Sequence, residues 1–246
     1  MSNEPLLLTA TRVCTFEGPA LLTNASGFFF AREERLFLVT SRHVLSDAPS
    51  KHFPDRIEIE LHVDADNLAK AENVSIALYG GENRQPRWRQ GVDGGGEVDV
   101  AAMEIAPGAL PEAAVYRAFT PAHLCRAFDR VEIGSSVLVV GFPLGFHDTL
   151  HHMPVARQGV VASSFGLRFQ GLGYFLTDAR THRGASGAPV VARVPALESI
   201  QGDLPWTLLG VHSARLDVGS RDIGQDEALG LNCAWYADIL LTLTEA

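Results

Sequence analysis

Positive charge, cysteine and long apolar runs are all scarce in this sequence. Its 20 Lys and Arg stand against 29 Asp and Glu, which leaves a formal net charge of −9. A surface of that sign repels phosphate backbones and anionic lipid, so neither nucleic acid nor a membrane is expected as a partner. The apolar stretch near the N-terminus, Leu6 to Leu8, has no basic flank and is too short for a leader or a membrane span, so the expected location is the cytoplasm. The 3 cysteines, Cys14, Cys125 and Cys233, are odd in number, far apart and set in apolar surroundings. They read as buried thiols rather than as disulfides or a redox pair. No internal repeat is visible.

What the chain does have is 246 residues with 46% hydrophobic content, enough for one large domain or two small ones around a sizeable core. Short apolar runs bounded by turn residues dominate: Gly27–Ala31, Leu36–Thr40, Ile57–Val63, Val74–Tyr79, Val98–Ile105, Val137–Phe142, Gly159–Ser163, Tyr174–Thr177, Pro189–Ala192 and Leu208–His212. Such a series predicts an all-β barrel or sandwich. Helix signals are confined to Thr120–Phe128, opened by a Thr-Pro pair, and to Ala234–Leu243, where Trp235, Ile239, Leu240 and Leu243 fall at helical spacing. The glycine- and charge-rich segment Gly80–Glu97 predicts a long mobile loop, and Pro107–Pro121 a link between two halves.

Three residues carry candidate chemistry. His43 follows an apolar strand in LFLVTSRHVL, where backbone holds it and a cleft can still be reached. Ser186 sits between glycines in THRGASGAPVV. The glycines permit a tight turn in which the amides of Gly184 and Ser186 point to one spot, the layout of an oxyanion hole. Asp99, in GEVDVAAMEI, is an acid among valines and alanines, a costly place for a carboxylate unless a partner meets it.

These motifs occur in the order His, Asp, Ser. TSRHV resembles the histidine motif of trypsin-like serine peptidases, VDVAAMEI their aspartate strand and GASGAP their serine motif, with Ala185 where secreted members carry an acid. VLVVGFPLG, QGVVASS and FLTDARTHRGASGAP resemble the second barrel of bacterial HtrA-type peptidases, and GVHSAR is similar to a strand of the glutamyl endopeptidases. The likeness spans roughly residues 27–214.

The resemblance implies a chymotrypsin-like double barrel, two six-stranded antiparallel barrels with a C-terminal helix, divided as 1–118 and 119–246. It implies a serine endopeptidase with Ser186 as nucleophile, His43 as general base, Asp99 as orienting acid, and the amides of Gly184 and Ser186 as oxyanion donors. The substrate is a protein or peptide, bound by a pocket formed from Thr181, His212, Ser213 and Ala214, with Glu or Asp before the cut as the expected preference; the alternative is that His212 faces the core or the outer rim and the pocket accepts small apolar residues, as in HtrA-type enzymes. No cofactor is expected. Ala185 argues against activation by N-terminal cleavage, and Ala188, in place of a second glycine, is expected to strain the turn if its φ is positive. His147, His151 and His152 would suit a metal on a helix, but the segment aligns with a loop and strand, so no metal is expected.

Two alternatives stand beside this reading. One is a protease-fold binding module, latent or idle until an activating protein partner orders it. The other, an α/β-hydrolase, requires the serine between strand and helix and the histidine last in sequence, and here the histidine comes first and an apolar strand follows Ser186.

Overall fold

Every second residue of a strand faces the same way, and the run Phe28-Phe29-Phe30 shows what that rule builds in this chain. Phe29 packs with Val13, Leu38, Ile57 and Met103 inside the first half, while Phe28 and Phe30 pack with Val100, Val211 and Trp235 between the halves. The continuous apolar run therefore marks a strand buried on both faces. The computed structural model describes residues 4–126, 128–193, 204–215 and 230–245.

The first half consists of β1 (Ala10–Glu17), β2 (Ala20–Arg32), β3 (Arg35–Thr40), the single-turn α1 (Arg42–Leu45), β4 (Arg56–His62), β5 (Ala71–Ala77), a small hairpin of β6 (Tyr79–Gly80) and β7 (Gln85–Pro86), then β8 (Trp88–Asp93) and β9 (Gly96–Ile105). Seven of these strands form one sheet in the order β5-β4-β1-β2-β3-β9-β8. The second half consists of β10 (Ser136–Gly141), β11 (Val155–Val161), β12 (Tyr174–Ala179), β13 (Pro189–Arg193), β14 (Trp206–Arg215) and β15 (Leu231–Tyr236), closed into a six-stranded barrel in the order β10-β11-β12-β15-β14-β13. The short α2 (Ile239–Leu243) ends the chain and returns to the first half, where Arg32 donates to the Leu241 carbonyl and Arg35 to the Thr244 carbonyl.

The architecture is mostly β and chymotrypsin-like, as the sequence implies, with three differences. The first sheet holds seven strands, and its pairing runs from β5 at one edge to β8 at the other. Both expected helices shrink. Thr120–Phe128 becomes one 3-10 turn at Pro121–His123, and Ala234–Tyr236 belongs to β15, whose Trp235 pairs with both Tyr174 and Val211 to close the barrel. Strand pairing overrides the helical spacing there.

The third difference is the segment expected to be a mobile loop, residues 80–97. It supplies β8, which pairs with β9 along Trp88↔Met103, Arg89↔Ala102 and Gln90↔Ala101. Trp88 is buried and packs edge-on against Tyr79, with ring centroids 5.4 Å apart. As an edge strand β8 leaves Arg89, Gln90 and Val92 exposed, which hides the two-residue period from a hydropathy reading. Replacing Trp88 with Ala should cost about 3–5 kcal/mol, the usual cost of emptying a large core site. The check is urea unfolding, where the midpoint falls at constant slope. A mobile loop would give no change.

Candidate active site

His43 is placed by a short piece of local structure. β3 ends at Thr40, Ser41 is extended at φ −72° and ψ 140°, and one helical turn then carries His43 on its outer side while Val44 and Leu45 are buried beneath. Asp99 lies on β9 between the buried Val98 and Val100, so strand alternation turns its carboxylate to the opposite side. There Oδ2 lies 2.7 Å from His43 Nδ1, and Oδ1 accepts the His43 backbone N–H at 2.8 Å. The Ser213 hydroxyl, reaching across from β14, also donates to Oδ2.

Burial alone would push the Asp99 pKa up. The hydrogen bond and charge of His43, the Ser213 hydroxyl and the His43 amide together outweigh it, so the pKa lies below the ordinary aspartate value. Asp99 therefore stays ionised at neutral pH. Its contribution to stability is present above the ordinary aspartate pKa and is lost as pH falls through the lower folded-state value.

Ser186 sits on a turn that only glycine can build. Gly184 has φ +91° and Gly187 φ +85°. A Cβ at Gly184 would come within 2.6 Å of the Phe142 carbonyl oxygen, and one at Gly187 within 2.2 Å of the Ser26 carbonyl oxygen. Ala188 is not among the positive-φ residues, so the strain expected there is absent. The turn is stitched to its surroundings: Gly187 N–H donates to His212 O at 2.7 Å and His212 N–H to Ala188 O at 2.8 Å.

The Leu144 N–H donates to the Arg183 carbonyl at 2.5 Å. Because a trans peptide opposes its C=O and N–H, that bond aims the Gly184 N–H away from residues 142–145. Among the described residues neither Gly184 N–H nor Ser186 N–H is given to an acceptor, so both remain available to a ligand oxygen. An open cleft of about 670 Å³ is lined by His43, Ser186, Gly184, Arg183, Leu144 and Phe53. The Ser186 hydroxyl donates to the Ser213 carbonyl at 3.1 Å and makes no hydrogen bond to His43.

The residues expected to form the pocket separate. Thr181 is buried, with its hydroxyl donating to Asn232 Oδ1 at 2.6 Å, and Asn232 in turn donates to the Ala179 carbonyl at 2.6 Å. A cavity of about 160 Å³ adjoins them, lined by Arg180, Thr181, His182, Gly230 and Asn232. His212 is only 2% exposed. Ser213 serves Asp99 with its hydroxyl and Ser186 with its carbonyl, so its side chain supports the His43–Asp99 pair. Ala214 contributes to the β14 backbone, and its side chain lies outside the described residues.

The sequence reading missed Ser26. This fully buried serine on β2 donates its hydroxyl to the Gly184 carbonyl at 2.7 Å and accepts the Phe142 N–H at 2.9 Å, while its own N–H donates to the Ser186 carbonyl at 2.9 Å. It ties β2, the 142–145 turn and the Ser186 turn together. The available signal was a hydroxyl residue directly before GFFF, a polar side chain in a strand buried on both faces. Ser26→Ala leaves a buried carbonyl and a buried N–H without a partner, at a cost of about 1–3 kcal/mol for each. Thermal unfolding should show that loss as a lower midpoint.

The comparisons with known proteins agree with this geometry. The family model described as trypsin-like peptidase domain matches residues 25–194. No curated protein sequence matches the chain. Among solved structures, the HtrA-type protease AlgW with tripeptide is similar at 18% identity and TM-score 0.58, over 97% of this chain and 59% of that one. The serine endoprotease from Yersinia pestis is similar at 15% identity and TM-score 0.54, over 99% of this chain and 66% of that one. The chain thus spans about three fifths to two thirds of the length of these two proteins. A family match over most of the sequence, on a fold that lines one cleft with His43 and Ser186 and sets Asp99 against His43, means that the chain belongs to the trypsin-like peptidase domain family.

Proposed function

We propose that this chain is a serine endopeptidase that cleaves peptide bonds through an acyl-enzyme formed on Ser186. The observation that carries the reading is the set of three donors on Asp99, from the His43 amide, the His43 ring and the Ser213 hydroxyl. With Nδ1 of His43 given to Asp99, the proton-accepting nitrogen is Nε2. Ser186 Oγ attacks the scissile carbonyl carbon as its proton passes to His43 Nε2. The oxyanion forms against the N–H groups of Gly184 and Ser186, each donor worth about 3–4 kcal/mol in a formed hole. The intermediate collapses to the acyl-enzyme, and the leaving amine takes the proton back from His43. Water then attacks the acyl carbon with His43 as base, which releases the carboxylic acid and restores the Ser186 hydroxyl.

One feature favours a second reading, a latent form that awaits a protein partner or a bound peptide. The Ser186 hydroxyl rests on the Ser213 carbonyl, so it must rotate before His43 can take its proton. Intact mass after incubation with a fluorophosphonate separates the two readings, with Ser186→Ala alongside. A competent enzyme gives a single adduct that the variant lacks. A folded protein without an adduct rules out constitutive activity and favours the latent form.

For specificity we propose a preference for Glu or Asp before the cut, with Thr181 as the substrate-binding residue and the buried His212 outside the pocket. The polar lining of the small cavity, with Thr181, Asn232, Arg180 and His182, supports it, because a carboxylate needs donors and positive charge around it. Peptides that differ only at that position should show kcat/KM higher for Glu and Asp than for Gln and Asn by about tenfold or more. Equal values for all four would remove the proposal. A cytoplasmic setting fits the three thiols, none of which forms a disulfide.

A further inference from the structure

The loop between β10 and β11 carries histidines that the proposed reaction does not use. Its backbone docks on β4, where the His62 ring makes a 2.7 Å hydrogen bond with the His151 carbonyl. That contact lays the loop across β4 at Glu60. Among the described residues, one ligand atom each from Glu60, His147 and His152 lie within 4.8 Å of one another. His151 is not part of the group, because its Nδ1 faces Asp148 Oδ2 at 2.8 Å.

We infer that Glu60, His147 and His152 form a three-ligand site for a borderline transition-metal ion of the zinc class, clamping the loop onto β4. Two imidazoles and one carboxylate suit zinc rather than magnesium or calcium, which take oxygen ligands. Zinc–ligand bonds of about 2.0–2.1 Å put tetrahedral ligand atoms roughly 3.3 Å apart, so a modest closure of the group would seat an ion and leave a fourth position for water.

The orientation of each ligand agrees. His147 Nδ1 is 2.6 Å from the Gly145 carbonyl, the bond that fixes a ligating imidazole and leaves Nε2 with its lone pair. His152 Nδ1 is 2.9 Å from Glu60 Oε1, yet the pair lacks hydrogen-bond alignment, so the nitrogen and the oxygen lie together without pointing at each other. The backbone of His152 is held at φ +54°, a strained conformation for a non-glycine residue, and this brings its ring to Glu60. Arg12 Nη2 lies 3.2 Å from the other carboxylate oxygen, Oε2, and leaves Oε1 to the site. The competing account is a plain Glu60–His152 ion pair.

The proposal does not depend on Ser186 being reactive, and it is tested by binding. Zinc is titrated calorimetrically into the whole chain under a non-chelating reductant, with cobalt(II) absorption as a second readout. One ion should bind per chain and raise the unfolding temperature. His147→Gln and His152→Asn should each weaken binding by more than about tenfold, since even outer-shell changes cost that much. Asn is chosen at 152 because it tolerates positive φ. Glu60→Gln should weaken binding as well, and His151→Gln should leave it unchanged. No zinc binding, binding that survives both histidine substitutions, or an equal loss in His151→Gln would each overturn the site in favour of the ion pair.

Discussion

A carboxylate between two apolar strand neighbours has to be satisfied, and the arrangement around Asp99 follows from that requirement. Removing an ionised group from water without partners costs several kcal/mol on the order of known penalties. The donors that meet it come from both halves of the molecule: His43 from the turn after β3, and Ser213 from β14 of the closed barrel. His43 supplies two of these donors and Ser213 the third. The two halves therefore meet where this charge lies, and the shared core of Phe28, Phe30, Val100, Val211 and Trp235 packs on the other face of β9 from the carboxylate.

The same seam positions Ser186. Its turn needs positive φ at Gly184 and Gly187, and both glycines face first-contact neighbours that leave no room for a Cβ. At Gly187 that neighbour is Ser26, on a strand of the other half. Ser26 also holds the Gly184 and Ser186 carbonyls, so the turn is shaped by β2 as much as by its own residues. A turn fixed on several sides holds the amides of Gly184 and Ser186 in place, which is what the proposed oxyanion hole requires.

These dependencies explain which features could be read from the sequence. The pairing of His43 with Asp99 and the glycine turn at Ser186 were foreshadowed because each residue sits in a local pattern, a residue just past a strand, an acid in an apolar strand, a serine between glycines, and because their order resembles that of a known family. The strands buried on two faces were legible as apolar runs. Ser26 was not, since its importance lies in partners 116 and 158 residues away. Edge strand β8 escaped because exposure on its outer face removes the alternation, and β15 because Trp235 and the residues of α2 happen to continue a helical spacing across a strand end. The Glu60–His147–His152 group also joins distant segments, so spacing within 147–152 could not reveal it.

Ser213 brings these threads to one residue. The pairing of β14 with β15 shifts register between His212 and Arg215, which takes Ser213 out of the regular ladder. A bulge of this kind frees backbone groups and re-aims side chains. Here the freed carbonyl accepts the Ser186 hydroxyl, while the side-chain hydroxyl turns to Asp99. One irregular residue thus supports the carboxylate that orients His43 and also offers Ser186 a resting partner. On the proposed mechanism, the balance between Ser213 O and His43 Nε2 as acceptors for that hydroxyl sets how much of the time the serine is ready to react. Any ligand that occupies the cleft and displaces the hydroxyl from Ser213 shifts the balance toward His43 by its differential affinity for the two states.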